Sequence, residues 1–269
     1  MSEMDELPRR RRRGIYLLPN LFTTATLFGG FYAVVAAMNG KYSAAAIAIA
    51  AAMVADSLDG FIARITHTAS EFGKEYDSLC DMVAFGVAAS VVMYAFSLHF
   101  LAEYQWLGGK LGWLTAFAYT ACAALRLARF NVLATRGGTK GAFFGLPSPA
   151  AAAVLVGFVW AMNESGVGGH ALVIPAVILT WGAAILMVTN FRFFSIKQFK
   201  LTGRVPFRYF VVALGIAILF LVFPTHWIFF LAFLSYALSG PSLALWGRLR
   251  RTEAAVPPAS SGGREPPSL

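Results

Sequence analysis

Four aspartates lie close together in the sequence, with long apolar stretches on both sides. Asp56 and Asp59 are three residues apart, Asp77 and Asp81 are four apart, and Asp5 is the one other aspartate of the chain. Residues at these spacings share one face of a helix. Carboxylates that converge near a membrane boundary repel one another and lose hydration. Hard divalent cations prefer oxygen ligands and would neutralise such a group. The spacing therefore predicts a metal site formed by two helix faces.

The composition indicates the class of protein that carries these acids. Of 269 residues, 58% are hydrophobic and 13% are charged, whereas an average soluble domain has about 25% charged residues. Crossing the hydrocarbon core takes about 20 apolar residues. We therefore predict an all-α, polytopic integral membrane protein. Its eight predicted spans cover residues 15–38, 43–65, 79–101, 107–127, 147–163, 171–191, 208–223 and 226–246.

The basic residues predict the orientation, since Lys and Arg accumulate in cytoplasmic loops. With eight spans, 20 of the 22 basic residues fall on one side, and only Lys41 and Lys110 fall on the other. Both termini are therefore expected in the cytoplasm, in a cell or inner membrane. Residues 64–77 are expected to form a cytoplasmic loop between spans two and three. The four aspartates then lie near the cytoplasmic ends of those spans.

Three regions follow from this pattern. Residues 1–14 form a basic cytoplasmic arm, 15–246 the transmembrane catalytic domain, and 247–269 a Pro-, Ser- and Gly-rich tail expected to be disordered. The net charge of +9 borders the membrane helices. Such basic residues favour an anionic lipid surface as the partner, and no nucleic acid.

Small residues and one cation accompany the acids. Gly60 directly follows Asp59, Ala63 and Arg64 come about one turn later, and Gly73 precedes Asp77 by four residues. Small residues allow a ligand close to the backbone, and Arg64 offers a bidentate donor for phosphate. Helix packing through small residues is an equally good explanation of Gly60 and Ala63.

Two other interpretations of the acids stay open. Each pair could be solvated by lipid headgroups at a helix end, or paired with Lys74 or Arg64. The acids could also belong to a cation or proton transporter, because intramembrane carboxylates form ion relays. Relay acids are usually scattered over several helices near the midplane. The clustering at one surface favours a metal-dependent enzyme.

Together these residues give the pattern D-x2-D-G-x2-A-R-x8-G-x3-D-x3-D over residues 56–81. It resembles the signature of the CDP-alcohol phosphatidyltransferase family. The resemblance implies a helical membrane enzyme with a six-helix catalytic core, usually a homodimer. Such an enzyme displaces CMP from a CDP-linked substrate with an acceptor hydroxyl and two divalent cations, Mg²⁺ or Mn²⁺.

Further stretches resemble the phosphatidylserine synthase branch of that family. They are YLLPNLFT, SEFGKEYDSLCDMVAFGVA, RLARFN, GLPSPAAA and TNFRFFSIKQFKL, which together with the motif extend from residue 16 to about 201. This resemblance implies CDP-diacylglycerol and L-serine as substrates and phosphatidylserine and CMP as products. A phosphatidylcholine synthase, with choline as the acceptor, is the nearest alternative.

The resemblance also implies roles for individual residues. Asp56 and Asp77 would bridge both cations, Asp59 would complete one site, and Asp81 would contact the other cation and act as the base. The contacts to CDP-diacylglycerol would come from Asn20, Thr23, Gly60, Ala63, Arg64, Ser70 and Gly73. Arg126, Arg129 and Asn131 are candidates for binding serine, because its carboxylate needs donors. The two arginines are equally well explained as ordinary anchors on the cytoplasmic side.

Overall fold

The computed structural model describes residues 17–66, 70–103, 108–135, 143–193 and 224–254. Over these ranges the chain is almost entirely helical. Two short 3₁₀ segments, Leu98–Glu103 and Gly169–Leu172, lie in connections between helices. The helices are α1 (Leu17–Met38), α2 (Tyr42–Thr66), α3 (Glu71–Phe96), α4 (Gly108–Thr135), α5 (Ser148–Glu164), α6 (Val173–Val188) and α7 (Thr225–Ala254).

Six of these helices are long and apolar enough to cross a membrane. The shorter α5, with 17 residues, is buried along most of its length. The predicted all-α, multi-pass membrane fold is therefore confirmed. The span predicted at 208–223 and the arm at 1–14 lie outside the described residues. The predicted boundary at 246 falls inside α7, which continues to Ala254, and the rest of the predicted tail is outside the described part.

The third span differs from the prediction. Residues 64–77 were expected to form a loop and the span to begin at 79, but α3 begins at Glu71. Ser70 is the N-cap, because its Oγ accepts a hydrogen bond from the backbone N–H of Gly73 at 3.0 Å. Glu71 adds an acidic side chain to the first turn, where it interacts favourably with the helix dipole. Hydropathy places this polar start outside the span, but the capping residues extend the helix.

A π-helical segment, Met82–Ala88, interrupts α3 directly after Asp81. The wider π turn disturbs the regular backbone pairing and is frequent at functional sites. Side chains of α4 add hydrogen bonds to its carbonyls. The hydroxyl of the buried Tyr119 donates to the Phe85 carbonyl oxygen at 3.1 Å, and Thr120 Oγ1 donates to that of Gly86 at 3.4 Å. Helix α4 therefore supports α3 immediately beyond the acidic residues.

Helix α1 approaches both acid-bearing helices through two adjacent glycines. A Cβ added at Gly29 would lie 2.9 Å from the Ala48 carbonyl oxygen on α2. A Cβ added at Gly30 would lie 2.6 Å from Ala84 Cα on α3. Larger side chains would separate the backbones, as is general for close helix packing in membranes.

The start of α5 is fixed by a short two-stranded ribbon. Strand β1 (Phe143–Phe144) pairs antiparallel with β2 (Arg192–Phe193), which follows α6. Gly145 has a positive φ of 82°. Leu146 N–H donates to the Leu186 carbonyl oxygen at 2.9 Å. These contacts anchor the entry of α5 to the end of α6.

Candidate active site

Three carboxylates from two helices meet at one point. Asp56 and Asp59 on α2 and Asp77 on α3 each offer an oxygen, and these oxygens lie within 4.8 Å of one another. Asp59 is buried with 5% of its surface exposed, while the other two are half-buried. The i, i+3 spacing on α2 turns both of its acids toward α3. The convergence predicted for these three residues is present.

Asp81 lies beside this group rather than within it. It follows Asp77 by one turn of α3, and its carboxyl is in hydrogen-bonding reach of Asp56. Its Oδ1 is buried and has no hydrogen-bond partner among the described residues. Buried polar atoms are nearly always paired, so this oxygen is suited to contact an ion or a substrate group.

Helix α1 supplies hydroxyl groups to the same place. Thr23 is buried, and its Oγ1 donates to Asp59 Oδ2 at 2.7 Å. One residue further, Thr24 Oγ1 lies 3.1 Å from the Tyr76 hydroxyl on α3. Asn20 Oδ1 is near Gly73, 3.5 Å from the position of an added Cβ. Of the two polar residues predicted from span one, Thr23 therefore contacts an acid directly, and Asn20 borders the start of α3.

Five of the residues predicted to bind the nucleotide lie near the end of α2 or the start of α3. Gly60, Ala63 and Arg64 are on the last turns of α2; Gly60 is half-buried, and the side chains of the other two are outside the described part. Ser70 Oγ caps α3 through Gly73. That bond uses the oxygen of Ser70 as an acceptor, so its O–H is still able to donate to a phosphate.

Among the described residues, Arg126 is the cation whose charge interacts with Asp81. Its Nη1 donates to Ser148 Oγ at 2.6 Å. Asp81 and Asp56 both interact electrostatically with it. A guanidinium removed from water in this way needs anionic or hydrogen-bonding partners.

The other two predicted serine-binding residues have different neighbours. Arg129 is exposed, and its Nη2 donates to Asn190 Oδ1 at 2.6 Å, beyond the end of α6. Asn131 Nδ2 donates to Ser78 Oγ at 3.0 Å, which joins α4 to α3. Of the three residues, Arg126 therefore interacts with the acids, whereas the described contacts of Arg129 and Asn131 are with other residues.

Two residues near Arg126 were not predicted. Ser148 is fully buried at the entry of α5, between Pro147 and Pro149. Tyr236 on α7 interacts electrostatically with Arg126. The sequence signal for Ser148 was a single hydroxyl residue between two prolines at the start of an alanine-rich span. A single tyrosine within a span carries no comparable signal.

An apolar groove with a volume of about 480 Å³ runs between α2 and α7. Its polar residue is Ser57, which lies between Asp56 and Asp59 on α2. The groove therefore runs along the stretch of α2 that carries Asp56 and Asp59, between the surfaces of two helices. Its lining residues are Ala50, Met53, Val54, Ser57, Leu58, Phe61, Phe229 and Phe233.

The donor set fits a hard divalent cation. All the candidate ligands are carboxylate oxygens, the ligand type that Mg²⁺, Mn²⁺ and Ca²⁺ prefer. The Thr23 hydroxyl donates to Asp59 Oδ2 and so orients the Asp59 carboxylate, as is typical of metal-ligating carboxylates. The orphaned Asp81 Oδ1 lies at the edge of the same group. A positive ion would relieve the mutual repulsion of these acids.

The chain is similar in sequence to several curated proteins. The CDP-diacylglycerol–serine O-phosphatidyltransferase of Helicobacter pylori is 36% identical over 188 residues, 69% of this chain and 75% of that protein. The protein of the same name from Methanocaldococcus jannaschii is 35% identical over 166 residues, 62% of this chain and 69% of that one. An archaetidylserine synthase of Methanothermobacter thermautotrophicus is 36% identical over 143 residues, 52% of this chain and 57% of that protein.

The chain also matches a family profile. The profile of CDP-alcohol phosphatidyltransferases covers residues 16–189, which includes all four clustered aspartates, Thr23, Arg126 and Ser148. The four aspartates, the small residues near the end of α2 and the start of α3, and helices α1 to α6 fall within the matched region, whereas α7 lies beyond it. The chain belongs to the CDP-alcohol phosphatidyltransferase family.

Proposed function

We propose that this enzyme transfers the phosphatidyl group of CDP-diacylglycerol to the hydroxyl of L-serine, giving phosphatidylserine and CMP. The observation that carries the proposal is the aspartate group of α2 and α3, with its oxygens within 4.8 Å, in a member of this family. The names of the similar proteins support serine as the acceptor.

Two divalent cations, Mg²⁺ or Mn²⁺, would be held by the four aspartates. Asp56 and Asp77 would bridge the cations, Asp59 would complete one site, and Asp81 would border the other. When bound, the cations would neutralise the pyrophosphate and the charge that develops on departing CMP. Thr23 would keep Asp59 oriented, because its hydroxyl donates to that carboxylate at 2.7 Å.

The cytidine diphosphate would bind at the α2–α3 turn. Arg64 would donate to a phosphate in a bidentate arrangement, and the glycines would leave room for the ligand near the backbone. One acyl chain would lie in the apolar groove between α2 and α7, because that groove follows the same stretch of α2 that carries Asp56 and Asp59. The proposed contacts to the nucleotide lipid are Asn20, Thr23, Gly60, Ala63, Arg64, Ser70 and Gly73.

The reaction is a displacement at the phosphorus that carries diacylglycerol. A bond forms between the serine hydroxyl oxygen and this phosphorus, and the bond to the bridging oxygen breaks, so that CMP leaves with that oxygen. The hydroxyl proton goes to a carboxylate, since the alcohol is a poor nucleophile at neutral pH. Asp81 is our choice for this base, because its Oδ1 is buried without a partner among the described residues.

We further propose that the site faces the cytoplasm of a cell membrane, with both termini on that side, and that the enzyme is a homodimer. The distribution of basic residues supports the orientation, with 20 of 22 on the predicted cytoplasmic side. The dimer rests on resemblance to the family.

The acceptor is tested with purified protein in detergent. CMP release is measured with CDP-diacylglycerol and Mg²⁺ or Mn²⁺, while L-serine, choline, glycerol 3-phosphate or inositol phosphate is supplied. We expect release only with L-serine. Release only with choline would refute serine as the acceptor but would still be the reaction type of the family. Absence of release with every acceptor, together with metal-dependent ion flux in vesicles, would support a transporter instead.

The roles of the acids are separated by two variants. In Asp81→Asn, CMP release should fall by at least about 10²-fold, while CDP-diacylglycerol affinity stays near the wild-type value because the three clustered carboxylates remain. In Asp56→Asn, affinity and turnover should fall together, since a bridging ligand serves both. Equal loss of affinity in the two variants would make Asp81 chiefly a metal ligand and would transfer the base role to another group.

A further inference from the structure

Arg126 lies near the aspartates, at a position where it can bind an anionic group of a substrate. It projects from α4 toward Ser148 on α5 and interacts electrostatically with Asp81, Tyr119, Asp56 and Tyr236. These residues come from five helices, so the guanidinium lies within the helix bundle. An arginine in such a place is rarely a topology anchor, because anchors extend into headgroups or water.

In the proposed function, on which this inference rests, the two divalent cations and Arg64 serve the aspartates and the phosphates of the nucleotide lipid. Arg126 is not used by either of these contacts. The remaining anion of the two substrates is the carboxylate of the amino acid acceptor, and a buried guanidinium is best stabilised by such a planar partner.

The chemistry of the acceptor requires two groups close to each other. Its hydroxyl must approach the base, and its carboxylate is attached only two carbon atoms away from that oxygen. Asp81 and Arg126 are suited to these two roles, because they are close enough for their charges to interact. Arginine has five N–H donors, and the Ser148 bond occupies one of them. Enough donors remain to bind a carboxylate through two hydrogen bonds.

Ser148 holds the guanidinium in a defined position. Its hydroxyl is fully buried, and it accepts the 2.6 Å hydrogen bond from Arg126 Nη1. Its own backbone is constrained by the prolines on both sides and by the ribbon that pairs β1 with β2. A flexible arginine loses less freedom on binding when one of its nitrogens is already fixed.

We propose that Arg126 binds the carboxylate of the amino acid acceptor beside Asp81 and that Ser148 is the residue that positions Arg126 for this contact. Arg129 and Asn131, the other two candidates from the sequence, contact Asn190 and Ser78, and neither has a described interaction with Asp81. The enzyme would thereby select a hydroxy amino acid over alcohols that lack a carboxylate.

The test measures both Michaelis constants in Ser148→Ala and Arg126→Lys. The KM for L-serine should rise about tenfold or more in each variant, as expected for loss of a hydrogen bond to a charged group. The KM for CDP-diacylglycerol should stay within about twofold of wild type. Ser97→Ala is the matched control, because Ser97 is also fully buried but donates to the Gly169 carbonyl oxygen far from Arg126 in the chain. Both constants should be unchanged there.

Serinol, which keeps the hydroxyl and amine of serine but lacks the carboxylate, provides a second readout. The kcat/KM ratio of L-serine to serinol should fall in Ser148→Ala and Arg126→Lys and stay constant in Ser97→Ala. An unchanged KM for L-serine in both variants would overturn the inference, and so would an equal rise in both Michaelis constants. These outcomes are distinct from failure of the proposed function, in which the wild-type enzyme itself does not use L-serine.

Discussion

The contact between Thr23 and Asp59 gives a sharp test of the metal site. Thr23→Val removes the hydroxyl at nearly constant shape, so that Asp59 Oδ2 loses the donor that lies 2.7 Å away. A hydrogen bond to a charged group contributes about 1.5–3 kcal/mol. Loss of a residue that orients a metal ligand typically lowers metal affinity about 10- to 100-fold. The two magnitudes agree, because about 1.4 kcal/mol corresponds to a factor of ten.

The assay is a titration of Mg²⁺ or Mn²⁺ into metal-free enzyme, followed both by CMP release and by the metal-induced rise in Tm. We expect the half-saturating metal concentration to increase about 10- to 100-fold in Thr23→Val. Thr23→Ser should restore most of the affinity, because it restores the donor. Thr26→Val is the matched control: Thr26 is buried on the same helix, but its Oγ1 donates to backbone carbonyls at 3.2 and 3.4 Å.

Two results would refute this reasoning. If Thr23→Val binds metal as well as wild type, the hydrogen bond does not orient a ligand. If metal affinity is unchanged but the KM for CDP-diacylglycerol rises, Thr23 acts on the nucleotide rather than on Asp59. The Tm curve separates both results from unfolding, because it reports metal binding without turnover.

Two further predictions concern packing and topology. Gly30→Ala should lower the Tm and reduce activity, because overpacking costs about 1–3 kcal/mol of folding free energy. Gly182→Ala is the control and should change neither, because an added Cβ there has no atom within 4 Å. Equal Tm values for the two variants would contradict the close packing of α1. In a cysteine-free background, Asn39→Cys and Val167→Cys should react with an impermeant thiol reagent added outside the cell, and Gly138→Cys should not; the reverse pattern would invert the orientation.

The acidic group could be predicted from sequence because it depends on local spacing. Three- and four-residue separations put each pair on one helix face, and a short connection brings the two faces together. The spans could be predicted because the bilayer imposes a minimum apolar length. The start of α3 at Glu71 was missed, since capping by Ser70 extends the helix through polar residues that hydropathy assigns to a loop.

The surroundings of Arg126 could not be predicted in the same way. Arg126 and Arg129 are three residues apart, so spacing alone gives them nearly the same helix face. Their contacts differ because α5 provides Ser148 to one, and the chain after α6 provides Asn190 to the other. Tertiary packing makes that distinction. The π-helical segment after Asp81 likewise depends on support from Tyr119 and Thr120 of α4.

The geometry of the acids depends on helix packing at a distance from them. Gly29 meets α2 and Gly30 meets α3, so two adjacent residues of α1 set its separation from both acid-bearing helices. Thr23 is about two turns before these glycines on the same rigid helix. A larger separation of α1 from α2 would therefore move the Thr23 hydroxyl away from Asp59. Gly29, Gly30 and Thr23 of α1 consequently act together. Close packing at the two glycines determines how a carboxylate oxygen of Asp59 is presented to a cation.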